Sequence, residues 1–368
     1  MHIPFCRKRC SYCDFHFSTT FSNYRSDLVH AISKEINLRK NELADSVETI
    51  YIGGGTPSIL TESELELILN SIRLSFQISK LVEITLEVNP EDVTIETVSI
   101  WQKVGINRIS IGLQSFKESD LNWMNRAHNL KQSDDAIELL KKQGFDNISI
   151  DLIYGLPNLT LKEWENHLHR AIELNVQHIS AYCLTVEKKT ALNHLVKTKK
   201  IITPSDENQA EQFNLLLVLL KQNDFYQYEI SNFSKLGFES KHNSSYWQNK
   251  SYLGIGPSAH SFDGEIRRWN VANNTKYYKN IGKNNSWFKT EILSQNDRWN
   301  ELFLTGLRTI WGVSKNQIAE LGNFSKMERR YIDSLIENGD LIESEKKIVL
   351  TEKGRLMADG IAASFFRI

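Results

Sequence analysis

Along the first part of the chain, runs of apolar and β-branched residues alternate with stretches in which apolar positions recur every three or four residues. The first pattern suits a buried strand and the second an amphipathic helix, so the alternation predicts βα units around a parallel sheet. Six strands are expected, at Met1–Phe5, Thr49–Ile52, Val82–Val88, Arg108–Leu113, Asn147–Ile153 and His178–Leu184. Helices are expected around Tyr24–Leu43, Glu62–Leu74, Ile95–Val104, Lys131–Gln143, Leu161–Leu174 and Asn208–Gln222. This α/β rhythm makes an open, partial (β/α)6 barrel over residues 1–225 rather than a closed eight-stranded one, with any site at the C-terminal ends of the strands. Helical patterns return at Trp299–Leu307, Lys315–Leu321 and Lys326–Asn338, and a hairpin pattern from Leu341 to Gly354 then enters a last helix. The chain thus divides into the barrel, an extension over residues 226–296 and a C-terminal unit over residues 297–368, with no further internal repeat and no low-complexity stretch.

Composition sharpens this only modestly. With 368 residues, 40% of them apolar and 24% charged, the chain can bury one large core and a smaller second one. A formal net charge of −1 predicts no general affinity for nucleic acid. Residues 297–368 carry 11 Lys plus Arg against 11 Asp plus Glu, so the hairpin there reads as a lid or partner surface rather than a DNA-reading wing. No apolar run approaches the roughly 20 residues of a membrane span, and no targeting segment is recognised before the first motif, so a cytoplasmic protein is expected.

Three of the four cysteines, Cys6, Cys10 and Cys13, form one Cys-x3-Cys-x2-Cys run. Clustered thiolates imply a metal. Each iron of a 4Fe-4S cluster takes one thiolate, so a triad leaves one iron open to an external molecule and suggests chemistry rather than simple electron transfer. A structural zinc site closes with four Cys or His ligands, and no second Cys pair follows here. An odd cluster in a chain expected to be cytoplasmic argues against a disulfide.

The triad, with Tyr12 before its third cysteine, resembles the radical S-adenosylmethionine (SAM) superfamily. The flanking His2-Ile3-Pro4-Phe5 and Asp14-Phe15 are similar to the oxygen-independent coproporphyrinogen III dehydrogenase-like group, and within it to the heme-chaperone branch. The resemblance implies a 4Fe-4S cluster whose open iron is chelated by the amino and carboxylate groups of SAM. The reduced cluster would then cleave SAM to a 5'-deoxyadenosyl radical, with an electron donor such as flavodoxin or ferredoxin. It also implies that the C-terminal helices and hairpin form a winged-helix-like domain.

Further motifs fall at strand ends. Tyr51-Ile52-Gly53-Gly54-Gly55-Thr56-Pro57 would let backbone approach a ligand closely and present its N–H groups. Such runs are as often tight βα turns, but the resemblance makes Gly54, Gly55 and Thr56 cofactor contacts. Glu87 and Asp151 are acids embedded in apolar strands, a costly placement without a partner. Singly, such groups are more often satisfied core residues. By resemblance Glu87, Gln114, Arg126 and Asp151 match SAM-binding positions, Arg126 facing the SAM carboxylate and the acids its ribose or sulfonium side. Cys183 reads as a small buried hydrophobe.

Lys241-His242-Asn243-Ser244-Ser245-Tyr246-Trp247 offers a histidine, a usual heme-iron ligand, beside two aromatic residues that could stack on a porphyrin. A lone histidine in a loop is more often merely hydrogen-bonded. The string resembles the heme-chaperone signature, which makes His242, Tyr246 and Trp247 heme candidates. Gly254-Ile255-Gly256-Pro257-Ser258-Ala259-His260 resembles the segment closing the SAM site.

Two functions remain open: a chaperone that binds heme and passes it to an acceptor protein, and a coproporphyrinogen III dehydrogenase or related porphyrin enzyme. Phe15 stands where the dehydrogenases carry a fourth cysteine, and they also have a long segment before the motif. These features and the His242 string favour the chaperone, while the intact triad and SAM positions leave catalysis, with unknown catalytic residues, open. Members of the group also carry a tyrosine just upstream of the His-Ile-Pro-Phe-Cys string. A form extended by an upstream strand is therefore expected to retain its cluster better; equal iron content in extended and short forms would count against this.

Overall fold

A computed structural model describes residues 1–43 and 45–368. The six expected strands form the parallel part of one sheet: β1 (His2–Ile3), β2 (Val47–Gly54), β3 (Ile78–Val88), β4 (Arg108–Gln114), β5 (Ile148–Tyr154) and β6 (His178–Cys183). Helices α1 (Arg25–Leu38), α2 (Glu62–Ser75), α3 (Ile95–Lys103), α4 (Glu118–Trp123), α5 (Leu130–Lys142) and α6 (Leu161–Glu173) alternate with them. Side chains on a strand alternate between faces. Leu86, Ile109, Ile111, Leu113, Ile150, Leu152 and Ile179 are fully buried on one face, whereas Glu87, Ser110, Ser149, Asp151, His178 and Ser180 share the other. The interior of the open barrel is therefore polar.

Local sequence explains where the helices begin. At α2 the Thr61 hydroxyl accepts from the Glu64 N–H while the Glu64 carboxylate accepts from the Thr61 N–H, and Thr160 with Glu163 repeats this at α6. Strand β1 is shorter than the Met1–Phe5 run suggests, because Pro4 has no N–H to donate to a ladder and Phe5 pairs instead with Ser18.

The sheet continues past the sixth strand. After α7 (Ala191–Lys197) and α8 (Asp206–Gln222), a hairpin of β7 (Tyr226–Glu229) and β8 (Asn232–Ser234) adds to it antiparallel, β8 pairing with β6. Strands of four and three residues with polar members carry too little periodicity to be read from sequence. Next come α9 (Lys241–Trp247), a three-stranded sheet of β9 (His260–Phe262), β10 (Ile266–Asn270) and β11 (Phe288–Ile292), and α10 (Asn274–Gly282).

The C-terminal unit has its own apolar core around Trp299, Phe303, Leu307, Ile332 and Phe365. It runs α11 (Gln295–Gly306), β12 (Val313–Ser314), α12 (Lys315–Leu321), α13 (Lys326–Glu337), the wing β13 (Leu341–Glu343) and β14 (Lys347–Leu350), α14 (Glu352–Arg355) and α15 (Ala358–Ala363). Among the described residues no helix is long and apolar enough to cross a membrane.

One buried acid ties the extension to the barrel. The Glu35 carboxylate on α1 accepts from Tyr277 Oη at 2.5 Å, Asn270 Nδ2 at 2.8 Å, the Gly256 N–H at 2.9 Å, Trp287 Nε1 at 3.1 Å and Arg39 Nη1 at 3.2 Å. Glu35 is 0% exposed, so removing the acid leaves the Tyr277 hydroxyl, the Trp287 N–H and the Gly256 N–H buried without their acceptor, while Arg39 keeps Glu42 at 2.7 Å. Glu35→Ala should cost about 3–5 kcal/mol in denaturant unfolding, the sum of a few buried donors left unsatisfied at about 1–3 kcal/mol each; a loss below about 1 kcal/mol would show that this node does not hold the extension.

Candidate functional site

The cysteine loop leaves β1 at the C-terminal rim of the sheet. It is closed by the Ser18 N–H donating to Pro4 O at 2.8 Å and the Cys6 N–H donating to Ser18 O at 3.0 Å. The turn after α4 braces it: the Ser11 N–H reaches Met124 O at 3.0 Å, and Asn125 Nδ2 reaches Arg9 O at 2.6 Å. All three thiols are half-buried. Burial raises the Cys6 thiol pKa and pushes that of Cys13 up to about 11.

Two chains of contact join this loop to the other expected residues. Thr56 Oγ1 lies 3.5 Å from Cys6 Sγ, and the Gly54 N–H two residues earlier donates to Glu87 Oε2 at 2.9 Å. Arg126 Nη1 lies 3.6 Å from Cys10 Sγ, while its Nη2 donates to Asn89 Oδ1 and to Gly112 O, each at 2.9 Å. Gln114 sits at a bulge ending β4, with φ +70, and its amide meets Arg126 over the open face of Gly112. A non-glycine residue held there is strained, a condition that gathers at binding sites. Asp151 stands beside Gly112 across the β4–β5 pairing. Cys6, Cys10, Thr56, Gly54, Glu87, Gln114, Arg126 and Asp151 thus share one rim.

The glycine turn is used differently from the expectation. Its N–H groups do not face outward: Gly53 donates to Met1 O, Gly54 to Glu87, Gly55 to Ile3 O and Thr56 to Phe5 O. The glycines are needed for close packing, since a Cβ on Gly55 would lie 2.5 Å from Phe5 O and one on Gly54, at φ +116, 1.9 Å from the His2 ring. A ligand at this turn would not find these amides as donors.

The acids are held in unlike ways. Glu87 accepts from Tyr51 Oη at 2.7 Å as well as from Gly54, and burial nonetheless raises its pKa. Burial, with repulsion from Glu87, pushes Asp151 up to about 7 against weaker help from Ser180, Arg108 and Ser110. Arg126 Nε is buried without a partner among the described residues. Buried acids that a nearby cation would ionise and an unused guanidinium N–H suit a ligand with cationic and anionic groups, which SAM has. Among the described residues no three His, Cys, Asp or Glu side chains are gathered for a single ion. Thiols strung along one loop fit a cluster that takes one thiolate per iron.

The heme candidates lie elsewhere. His242 is not in a loop but on α9, whose first N–H groups at Lys241 and His242 donate to the buried Glu83. Its Nδ1 pairs with Thr49 Oγ1 at 2.8 Å and its Nε2 with Tyr246 Oη at 2.9 Å, and its ring stacks on Tyr51 at 4.9 Å. Burial, then the N-terminal ammonium and Arg108, lower its pKa to about 3. Thr49 lies four residues before Gly53 on β2, about 13 Å along the strand, so His242 is anchored below the rim, with Tyr51 between it and Glu87. Trp247 ends α9 on the side of the C-terminal unit, its Nε1 buried without a partner among the described residues. Gly254–Pro257 packs on the outer edge of β1, where the His2 N–H donates to Ile255 O at 2.8 Å, while His260 is exposed and stacks on Trp269. Cys183, at the end of β6, is half-buried and donates to Gln209 Oε1 at 3.3 Å. Tyr51 and Arg108 were not singled out in the sequence; an aromatic and a cation within apolar runs look like ordinary core and edge residues.

Comparison with known proteins shows the family and the fold. The Radical SAM superfamily model matches residues 1–171. The heme chaperone HemW of Bacillus subtilis is 35% identical over 99% of this chain and 98% of its own length. That of Escherichia coli is 30% identical over 99% of this chain and 97% of its own. Among solved structures, the coproporphyrinogen III oxidase HemN from Escherichia coli, a radical SAM enzyme, shares the fold with a TM-score of 0.84 at 23% identity, covering 99% of this chain and 88% of that one.

The Asp151 value gives a signed expectation. A carboxyl whose native pKa is raised contributes most below the unfolded value near 4 and loses that contribution as pH climbs to about 7. Asp151→Asn should therefore gain on the wild type between about pH 4 and 7 and hold a constant advantage above. Melting temperatures across this range check it; a difference independent of pH would remove the buried-acid account.

Proposed function

The chain belongs to the HemW family of heme chaperones within the radical SAM superfamily, and we propose that it binds heme and delivers it to an acceptor protein, carrying a 4Fe-4S cluster and SAM at the barrel rim. The observation that carries this reading is that similarity to curated heme chaperones runs through nearly the whole chain rather than the barrel alone. Phe15, 68% exposed beside the triad, supplies no fourth thiol.

When bound and reduced, the cluster supplies the electron for SAM cleavage. Cys6, Cys10 and Cys13 hold it. Gly54, Gly55, Thr56, Glu87, Gln114, Arg126 and Asp151 hold SAM, the turn by close approach of its backbone rather than by its N–H groups, Arg126 answering the carboxylate and the two acids the hydroxyl or cationic groups. Arg7, Lys8 and Arg9 are exposed between the first two cysteines, a cationic approach for an acidic electron donor such as flavodoxin or ferredoxin. An oxygen-labile cluster on reduced thiols suits a reducing compartment, and we place the protein in the cytoplasm. Heme docks on the side of α9, with His242, Tyr246 and Trp247 as its candidates.

A porphyrin-modifying enzyme is the second reading, favoured by the assembled rim. The deciding experiment is anaerobic: the reconstituted protein with SAM and reductant is offered coproporphyrinogen III or heme. Heme binding without porphyrin product is expected, and protoporphyrinogen would overturn the chaperone. Cys10→Ala should abolish the iron–sulfur absorption; full iron and sulfide content in that variant would overturn the metal assignment.

A further inference from the structure

Beyond α9 lies a cleft of about 290 Å3 between the barrel extension and the C-terminal unit. One wall is Trp247 at the end of α9; others are Leu302 and Thr305 on α11, Trp311 before β12, and Lys346 and Lys347 in the wing. A second space of about 170 Å3 abuts it, sharing Asn249, Leu302 and Gln317. Together they reach the size of small-molecule sites, roughly 300–1,000 Å3.

The chemistry of the walls is one-sided. Two indoles offer flat apolar area, and the buried Nε1 of Trp247 is a donor with no partner among the described residues. Trp311 is backed by Tyr228 at 6.0 Å and Trp247 by the Arg308 guanidinium at 5.1 Å, so both rings are supported from behind. Neither Lys346 nor Lys347 is ion-paired with a described residue, although Lys347 Nζ donates to Ile310 O at 3.1 Å. The smaller space is bounded instead by Glu301 and Glu320 with Arg298. A ligand here is expected to be flat, largely apolar and to carry carboxylates at one edge, toward the wing. No His, Cys or Met lines either space.

We propose that the cleft between Trp247, Trp311 and the wing lysines holds the heme macrocycle by its faces and its propionates, without a ligand to its iron. This rests on the heme-chaperone reading and adds to it the site and the mode of recognition. His242, with both ring nitrogens bonded inside the barrel, is not required for the grip.

The test titrates the full-length, cluster-loaded protein with heme and with iron-free protoporphyrin IX, following their absorption. The wild type should bind both, with dissociation constants within about threefold of each other, since recognition does not use iron. Lys346→Glu with Lys347→Glu should weaken both by at least about tenfold through lost carboxylate pairing. Gln317→Trp, which fills the junction of the two spaces, should do the same by exclusion, and the iron–sulfur absorption of both variants should be unchanged. Heme binding without binding of the iron-free porphyrin overturns the proposal, as does wild-type affinity in both cleft variants or a His242→Ala variant that loses heme while still binding protoporphyrin IX; each of these leaves the chaperone reading standing. A wild type that binds neither compound overturns that reading and this inference together.

Discussion

Strand β1 is only two residues long, and it is held against the end of β2 by amides of the Gly53–Thr56 turn, three of which donate to Met1, Ile3 and Phe5 carbonyls. So short a strand has no stability of its own. Contact at 2.5 Å between Phe5 O and the place of a Gly55 Cβ shows how little room there is. On the other edge, Ile255 O and Pro257 O receive His2, and the segment carrying them is fixed by Glu35 through the Gly256 N–H. The cysteine loop starts from this clamped strand, so its position is set by backbone bonds on both sides rather than by its own sequence. Anchoring of this kind fixes where the loop that carries the three thiols leaves the sheet.

A polar barrel interior is the second consequence of the same layout. Parallel strands covered by helices on one face leave the other face to a concave lumen, and here that face carries acids, hydroxyls and histidines that must be bonded or neutralised. His178 is satisfied by Ser149 at 2.7 Å and Tyr228 at 2.8 Å, and burial lowers its pKa well below the usual value. Glu87 is satisfied by Tyr51 and Gly54. Asp151 is less well served, with Ser110 Oγ at 3.5 Å and Ser180 opposite it on β6, so it meets burial by holding its proton. Tyr51 spans the lumen: its hydroxyl serves Glu87 toward the rim while its ring stacks on His242.

Long, strongly patterned elements were legible in the sequence. The apolar runs placed all six parallel strands, and residues singled out from separate motifs, Cys6, Cys10, Glu87, Gln114 and Arg126 among them, come together at one rim. Elements shorter than one or two periods were not: β7, β8 and α9 are too brief for periodicity to separate from loop. Partner choice was also hidden. Glycine N–H groups look equally free whether they face a ligand or a neighbouring strand, and His242 looks the same in a loop as it does wedged between Thr49 and Tyr246. The Glu35 node joins residues more than two hundred positions apart, a contact no local pattern carries.

Helix α9 shows why residues in one string need not share one role. Seven residues are too few for a stable isolated helix. It forms because Ser240 caps it and because Glu83, a buried carboxylate, accepts its first N–H groups where the helix end is positive. His242 completes the anchor on the barrel side. Five residues on, Trp247 lies about 7.5 Å farther along the axis and faces the C-terminal unit instead. The rigid attachment at one end fixes the indole at the other, so substitution of His242 can disturb a ligand on the far side without ever touching it. Loss of heme in such a variant therefore measures the helix as much as the iron, and only a ligand without iron separates the two.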